Sequence, residues 1–265
     1  MKVGIVMATT DLKEAIMNRK SVRKYEKKML TLDDQAFIVN KINALNKNDM
    51  GIKMSLVFQS DEDVFTGILG SYGKITNAPA YIVLIGNKLA PHIESHIGYN
   101  GEQLVLECLS QGMSSCWVAG TFSSSKVSKQ VTLEKNEKIY AIIAIGYEAK
   151  GEVDTMKKLS KGTKKPLDEL WYKVPSTIPS VFKEPLELAR LAPSAMNMQP
   201  WRFEVNENEL SIHFASGILS KKAVIYSKAL DCGIALCHLV IGLELSGVPF
   251  SIDFKDDCFV TIRLA

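Results

Sequence analysis

Ala192-Pro193-Ser194-Ala195-Met196-Asn197-Met198-Gln199-Pro200-Trp201-Arg202-Phe203 is the stretch on which the fold turns. Pro193 and Pro200 stiffen it, because each proline fixes its own φ and restricts the residue before it. Between them stand the polar residues Ser194, Asn197 and Gln199. A polar, stiffened turn of this kind can hold an amide side chain out toward a planar heterocycle. Trp201 reads as core rather than ligand. Residues 202–214 read as two strands turned at Asn206-Glu207-Asn208.

Far upstream stands Arg19-Lys20-Ser21-Val22-Arg23-Lys24-Tyr25. It follows a short helix expected over Asp11–Asn18, capped by Thr9, Thr10 or Asp11. Arg19 and Ser21, two apart in an extended segment, can point the same way and give a phosphate charge-assisted hydrogen bonds. Taken alone, Lys20, Arg23, Lys24, Lys27 and Lys28 read equally well as a solvated basic surface.

Between and beyond these motifs the pattern is mixed α and β. Leu30–Leu45 reads as an amphipathic helix capped by Thr31. Met54–Gln59 and Tyr81–Ile85 read as strands, the second entered through Asn77-Ala78-Pro79. His92–Gln111 reads as a long helix ended by Gly112, and Lys138–Tyr147 as an apolar strand. Residues 149–180 are polar, basic and broken by Gly and Pro, the composition of an extended connector. A second block follows, with helices over Glu184–Leu191 and Ala229–Ser246 and strands over Phe250–Phe254 and Cys258–Leu264. The segments from His96 to Gly112 and from Asp231 to Gly247 have equal length. They match apolar residues at Leu104 and Leu239, Val105 and Val240, Leu106 and Ile241. The match fits a duplication; apolar helices ended by Gly are common enough that chance produces it too.

The chain has 265 residues, 46% of them hydrophobic and 23% charged, with a net charge of +3. That is room for one large core or two coupled ones, and too little charge to argue for nucleic acid or an anionic membrane. A second basic cluster holds Lys157, Lys158, Lys161, Lys164 and Lys165. Cys108, Cys116, Cys232, Cys237 and Cys258 form no CxxC and, with the histidines, no zinc spacing, so no metal is expected and a reducing compartment is. His238, on an apolar helix face, reads as a partly buried structural residue. No signal peptide and no stretch of membrane-spanning length are expected.

Four segments together resemble the FMN-dependent nitroreductase family. EAIMNRKSVRKY is close to its Arg-rich N-terminal signature, and APSAMNMQPWRF to its Pro-Ser-x-x-Asn turn. GYNGEQLVLECLSQGMSSCWVAGTF is similar to its central helix and following turn, and KKPLDELWY to its late basic stretch. The resemblance implies an α+β, three-layer α/β/α fold with mainly antiparallel sheets. In an ordinary member the turn follows the Arg motif by about one helix, and two subunits complete each site. Here residues 43–50 lack the turn, and the second block lacks the Arg motif. The chain thus resembles single-chain pseudo-dimers, with halves 1–148 and 181–265 joined by 149–180 and one FMN site retained. The implied site takes the FMN phosphate on Arg19 and Ser21, completed by Lys164 or Lys165, and counts Lys20 among its cofactor-binding residues. It places Arg23 at the N1–C2 edge of the ring and Asn197 against the flavin. Pro193, Ser194 and Gln199 shape the turn, and the backbone of Trp117, Val118, Ala119 and Gly120 faces the ring near N5. The implied activity is ping-pong hydride transfer from NAD(P)H to a nitroaromatic, a quinone or another electron-poor acceptor. A cytoplasmic monomer or homodimer is expected. The alternative is a non-catalytic flavin-binding or storage protein on the same fold.

Overall fold

The structure, a computed structural model, describes residues 9–47, 50–59, 63–65, 74–149, 164–216, 227–255 and 259–265. The first half runs α1 (Thr9–Asn18), α2 (Leu32–Leu45), β1 (Ile52–Phe58), β2 (Ala80–Asn87), α3 (Ile93–Ser110), β3 (Ser114–Val118), α4 (Ser124–Ser128) and β4 (Glu137–Gly146). The second runs α5 (Ser180–Arg190), β5 (Trp201–Val205), β6 (Glu209–Phe214), α6 (Lys228–Ser246), β7 (Phe250–Phe254) and β8 (Val260–Leu264). Each half forms one antiparallel sheet of four strands. Their orders are β1-β2-β4-β3 and β5-β6-β8-β7, the same permutation twice.

Local chemistry sets the ends of several elements. Thr31 caps α2 by accepting the Asp34 N–H, and Ser227 caps α6 by accepting that of Leu230. Gly247 closes α6 at a φ of +69°, a conformation glycine adopts without strain. Two expectations needed correction. β3 is a strand where a turn was expected, so each half reads helix-strand-strand-helix-strand-strand. α5 begins at Ser180, four residues before the expected Glu184, and carries Pro185 inside it. Gly242 lets α6 approach the backbone of α5 closely at this residue. A Cβ on Gly242 would lie 2.6 Å from the Pro185 Cα.

The long helices α3 and α6 pack on each other, α3 also on the first sheet and α6 on the second. They meet backbone to backbone. A Cβ on Gly98 would lie 2.0 Å from the Leu230 carbonyl oxygen, and one on Gly233 would lie 2.1 Å from that of Ser95. The spacing that pairs Gly112 with Gly247 also pairs Gly98 with Gly233 and Ser95 with Leu230. The contact is therefore reciprocal, as a two-fold relation between the halves requires. α6 is also long and apolar enough to span a membrane by length and composition, which the sequence reading had denied to every stretch. In the fold 78% of its apolar window is buried as a core helix.

Around this crossing lies the main core. Ala80, Ile82, Leu84, Ala141, Ile143 and Ile145 enter it from the first sheet, and Trp201, Phe203, Leu210, Ile212 and Ile262 from the second. The opposite face of the first sheet is also covered. Tyr81, Val83, Ile85, Ile142 and Ala144 pack there with Val22, Tyr25, Phe65 and Val127. Of the basic connector, residues 150–163 lie outside the described residues, and Lys157, Lys158 and Lys161 with them; so does Cys258. Beyond it, Trp171 bridges to Phe203 at the edge of β5.

Candidate functional site

After α1 the chain becomes an extended strap along the edge of the first sheet. The Val22 N–H donates to the Ser115 carbonyl at 2.9 Å, and that of Tyr25 to Thr76 at 3.0 Å. Val22 and Tyr25 are buried and pin the strap. Ser21 bonds the Cys116 thiol, which Arg23 and Arg19 also approach; burial pushes that thiol up, and the two cations pull it partly back. Arg23 donates to the Ser21 carbonyl at 3.5 Å. Lys20 points away and pairs with Glu148 at 2.6 Å on the surface.

The Pro-stiffened turn sits on the second half. Met196, Asn197 and Gln199 have φ of +50°, +55° and +48°, in the left-handed region that costs non-glycine residues. Hydrogen bonds hold them there. The Ala195 N–H donates to Asp231 at 2.9 Å, and the Gln199 N–H to the Ser194 hydroxyl at 2.9 Å. The buried Gln199 amide donates to the Asn197 carbonyl at 3.1 Å and accepts the Lys165 N–H at 2.8 Å. The turn is thus tied to the end of the connector. Pro193 is buried, and Asn197 is half-buried.

Lys164 brings the two motifs together. Its ammonium donates to the Ala192 carbonyl at 2.5 Å and to Asn197 Oδ1 at 3.4 Å. Burial, with Arg19 close by, lowers it to about 7; Glu102 and Asp231 oppose that shift. Arg19 is itself 9% exposed, and its Nε is buried without a hydrogen-bond partner. Arg19 from the first half, Lys164 after the connector and Asn197 from the second therefore share one pocket environment. Lys165 is held below its ordinary value by burial and by Arg202, and takes part through its backbone.

Beneath them lies a network that the sequence reading missed. Glu102, fully buried on α3, accepts the Trp117 indole N–H at 2.7 Å and lies 2.9 Å from His238 Nε2. The Trp117 ring is seated over Gly101, where a Cβ would lie 2.5 Å from it. Its side chain thus faces α3, while Val118 is buried against the strap and Ala119 and Gly120 run out to the surface. His238 is wholly buried rather than partly so. An acid within an apolar helix was the available signal for Glu102.

The spacing that relates the halves pairs Ala119 with Phe254 and Gly120 with Lys255. The Phe254 ring stacks on His92 at 4.8 Å and meets His96 and Phe259 edge-on. A phenyl group thus stands where the first half has a methyl. Two open cavities, of about 400 and 650 Å³, lie away from the Arg19–Lys164 cluster, which we take as the site on its chemistry. No metal-holding group of side chains occurs among the described residues.

A family model described as "Putative TM nitroreductase" matches residues 11–243. A crystal structure from Thermotoga maritima, described as a putative nitroreductase, is similar at a TM-score of 0.61 and 21% identity, covering 100% of this chain and 98% of that one. A nitroreductase family protein from Clostridium difficile matches at 18% identity and a TM-score of 0.48, covering 63% of this chain and 98% of its own. A nitroreductase with bound FMN from Bacteroides fragilis matches at 21% identity and a TM-score of 0.42, covering 58% of this chain and 97% of its own. No curated protein matches. With the family model running from α1 through the first sheet and the Pro-stiffened turn into most of α6, well over half of the chain, the chain belongs to this nitroreductase family.

Proposed function

We propose that the chain is an FMN-dependent oxidoreductase of nitroreductase type that takes hydride from NAD(P)H and passes it to an electron-poor acceptor such as a nitroaromatic or quinone. The observation that carries this reading is the convergence of Arg19 and the buried Lys164 beside Asn197. Two buried cations side by side are costly. A phosphate dianion accepting from both cations would relieve the repulsion. The donor set therefore fits the phosphate of FMN.

The chemistry that bound FMN supplies is two-electron hydride transfer. The protein's part is to hold and tune it. Arg19, Ser21 and Lys164 bind the phosphate. Arg23 keeps a fixed positive charge by the ring edge that becomes anionic on reduction, which favours the reduced state. Asn197 presents its amide to the ring, on a turn shaped by Pro193, Ser194 and Gln199. Lys20 is taken up by Glu148, and Lys165 contributes through its backbone, so neither carries the binding.

We read the molecule as an intrachain pseudo-dimer, with halves 1–148 and 181–265 and a connector at 149–180. The reciprocal Gly98 and Gly233 contacts support it. One FMN per chain follows, because the second half lacks the Arg motif and packs Phe254 where the first has Ala119. A monomer or a homodimer of such chains satisfies the site equally. Four described cysteines are buried and free, which suits a reducing, cytoplasmic setting.

The test is the visible absorbance spectrum of purified protein with FMN counted after denaturation. About one FMN per chain is expected, as the single retained site requires. Oxidation of NADH or NADPH with a quinone should follow. Colourless protein that fails to take up added FMN overturns the reading, and bound flavin that neither nicotinamide reduces leaves only a binding protein.

A further inference from the structure

Glu102 is a fully buried acid to which the flavin reading gives no role. Its Oε2 accepts the Trp117 indole N–H, and its Oε1 lies 2.9 Å from His238 Nε2 and 3.7 Å from Arg19 Nε. His238 belongs to α6, so the network spans both halves. The Leu188 carbonyl, 3.0 Å from His238 Nδ1, can only accept, so Nδ1 carries a hydrogen. A further proton must then lie between Nε2 and Oε1. Both carboxylate oxygens are engaged, and the carboxylate plane is locked. The remaining neighbour is Arg19, set with its Nε toward Glu102 just beyond hydrogen-bond reach.

We propose that Glu102 is a positioning residue for the phosphate end of the site: clamped by Trp117 and His238, it holds the Arg19 guanidinium by its Nε side and leaves the terminal nitrogens to take the phosphate beside Lys164. This rests on the flavin reading above. The same carboxylate favours the charged form of Lys164, so it serves both phosphate-binding cations. It also links the phosphate corner to the Trp117–Gly120 strand through one rigid group.

Glu102→Gln isolates the charge. The amide oxygen can still accept from Trp117, and its NH₂ can donate to a neutral His238 Nε2. Apo-protein is titrated with FMN and, separately, with riboflavin, which lacks the phosphate. The expected result is a loss of about tenfold in FMN affinity, with riboflavin unchanged within about twofold. Adding Glu102→Gln to Arg19→Gln should cost less than Glu102→Gln does alone, the remainder acting through Lys164. FMN affinity that is unchanged or tighter overturns the proposal, as does an equal loss for both flavins or a full additive loss in the double variant. Should Glu102→Gln not fold, His238→Gln carries the same comparison, with a smaller loss specific to FMN expected and an equal loss for both flavins overturning the role. Wild-type protein that binds neither flavin overturns the flavin reading and this role with it. Wild-type binding that Glu102→Gln leaves untouched overturns this role alone.

Discussion

In the first half the inner strand β2 is buried on both faces over seven of its eight residues, whereas its counterpart β6 in the second half is buried over three of six. The difference is one of cover. The first sheet carries α3 on one side and, on the other, the strap through Val22 and Tyr25 with Phe65 and Val127. The second sheet has α6 on its inner face, while its outer face is a polar ladder. There Ser211 bonds Thr261 at 2.9 Å, Glu204 meets His213 at 3.0 Å, and Tyr172 stacks on His213. The segment that seals the first sheet is also the segment that carries Arg19, Ser21 and Arg23. A half without that strap keeps its fold, because an antiparallel sheet can face water on one side. It forgoes the cationic edge. One duplicated scaffold thus supports one composite site, with cations from one half and the strained turn from the other.

The equivalence of the halves is most exposed at the helix crossing. Gly98→Val and Gly233→Val each drive a side chain into a backbone carbonyl, and each should cost about 3 kcal/mol or more. Urea denaturation of both variants measures this, and a large inequality between them breaks the two-fold relation. The composite site comes next. Arg19→Ala should weaken FMN binding by about 1.5–3 kcal/mol and Asn197→Ala by about 1 kcal/mol, while Lys20→Ala, on the same strap but paired with Glu148, should leave it unchanged. FMN titration decides; a loss confined to one half's residue would mean that the halves do not share a pocket. The covering of the sheets gives a third contrast. Val83→Thr places a hydroxyl in a two-sided core and should cost about 1–3 kcal/mol, against about 0.5 kcal/mol or less for Glu204→Thr on the open face. Chemical denaturation would show equal costs if the second sheet were covered too.

A pH dependence sharpens the contrast further. Lys164 stands at about 7 in the folded protein, well below its ordinary value. Between those values the unfolded chain holds the proton and the folded one does not, so stability of the flavin-free protein rises with pH across that window. Below about 7 both states are protonated, and the cost of the buried charge is present in full. Bound phosphate favours the charged lysine. FMN affinity should therefore fall as pH rises above about 7, by at most about tenfold per pH unit, and Lys164→Met should flatten the profile. FMN titrations across this range check it.

Much of the scaffold was legible locally. Thr31 announced the start of α2, and Gly112 and Gly247 the ends of α3 and α6, because capping and left-handed closure are decided within a few residues. The equal lengths of the two long helices pointed to the duplication. The strand β3 was not legible: five residues beginning Ser114-Ser115 carry no period, and pairing with β4 makes it a strand. The start of α5 was obscured by Pro185, since a proline inside a helix removes one of its hydrogen bonds and reads as a boundary.

The site divides the same way. The types of residue in the Arg motif and the Pro-stiffened turn were plain in the sequence, and so was the chemistry each could do. Which of them act together was decided by the tertiary structure. Lys20 and Arg19 are neighbours in the chain, yet one pairs with Glu148 on the surface and the other lies buried beside Glu102. Lys164 looked like any residue of a basic run until burial and Arg19 lowered its affinity for protons. His238 and Glu102 meet across 136 positions of sequence. Turns and caps are set by neighbours along the chain, and sequence therefore reveals them. The meaning of a charge is set by its desolvation and its partners, and these come from wherever the fold brings them.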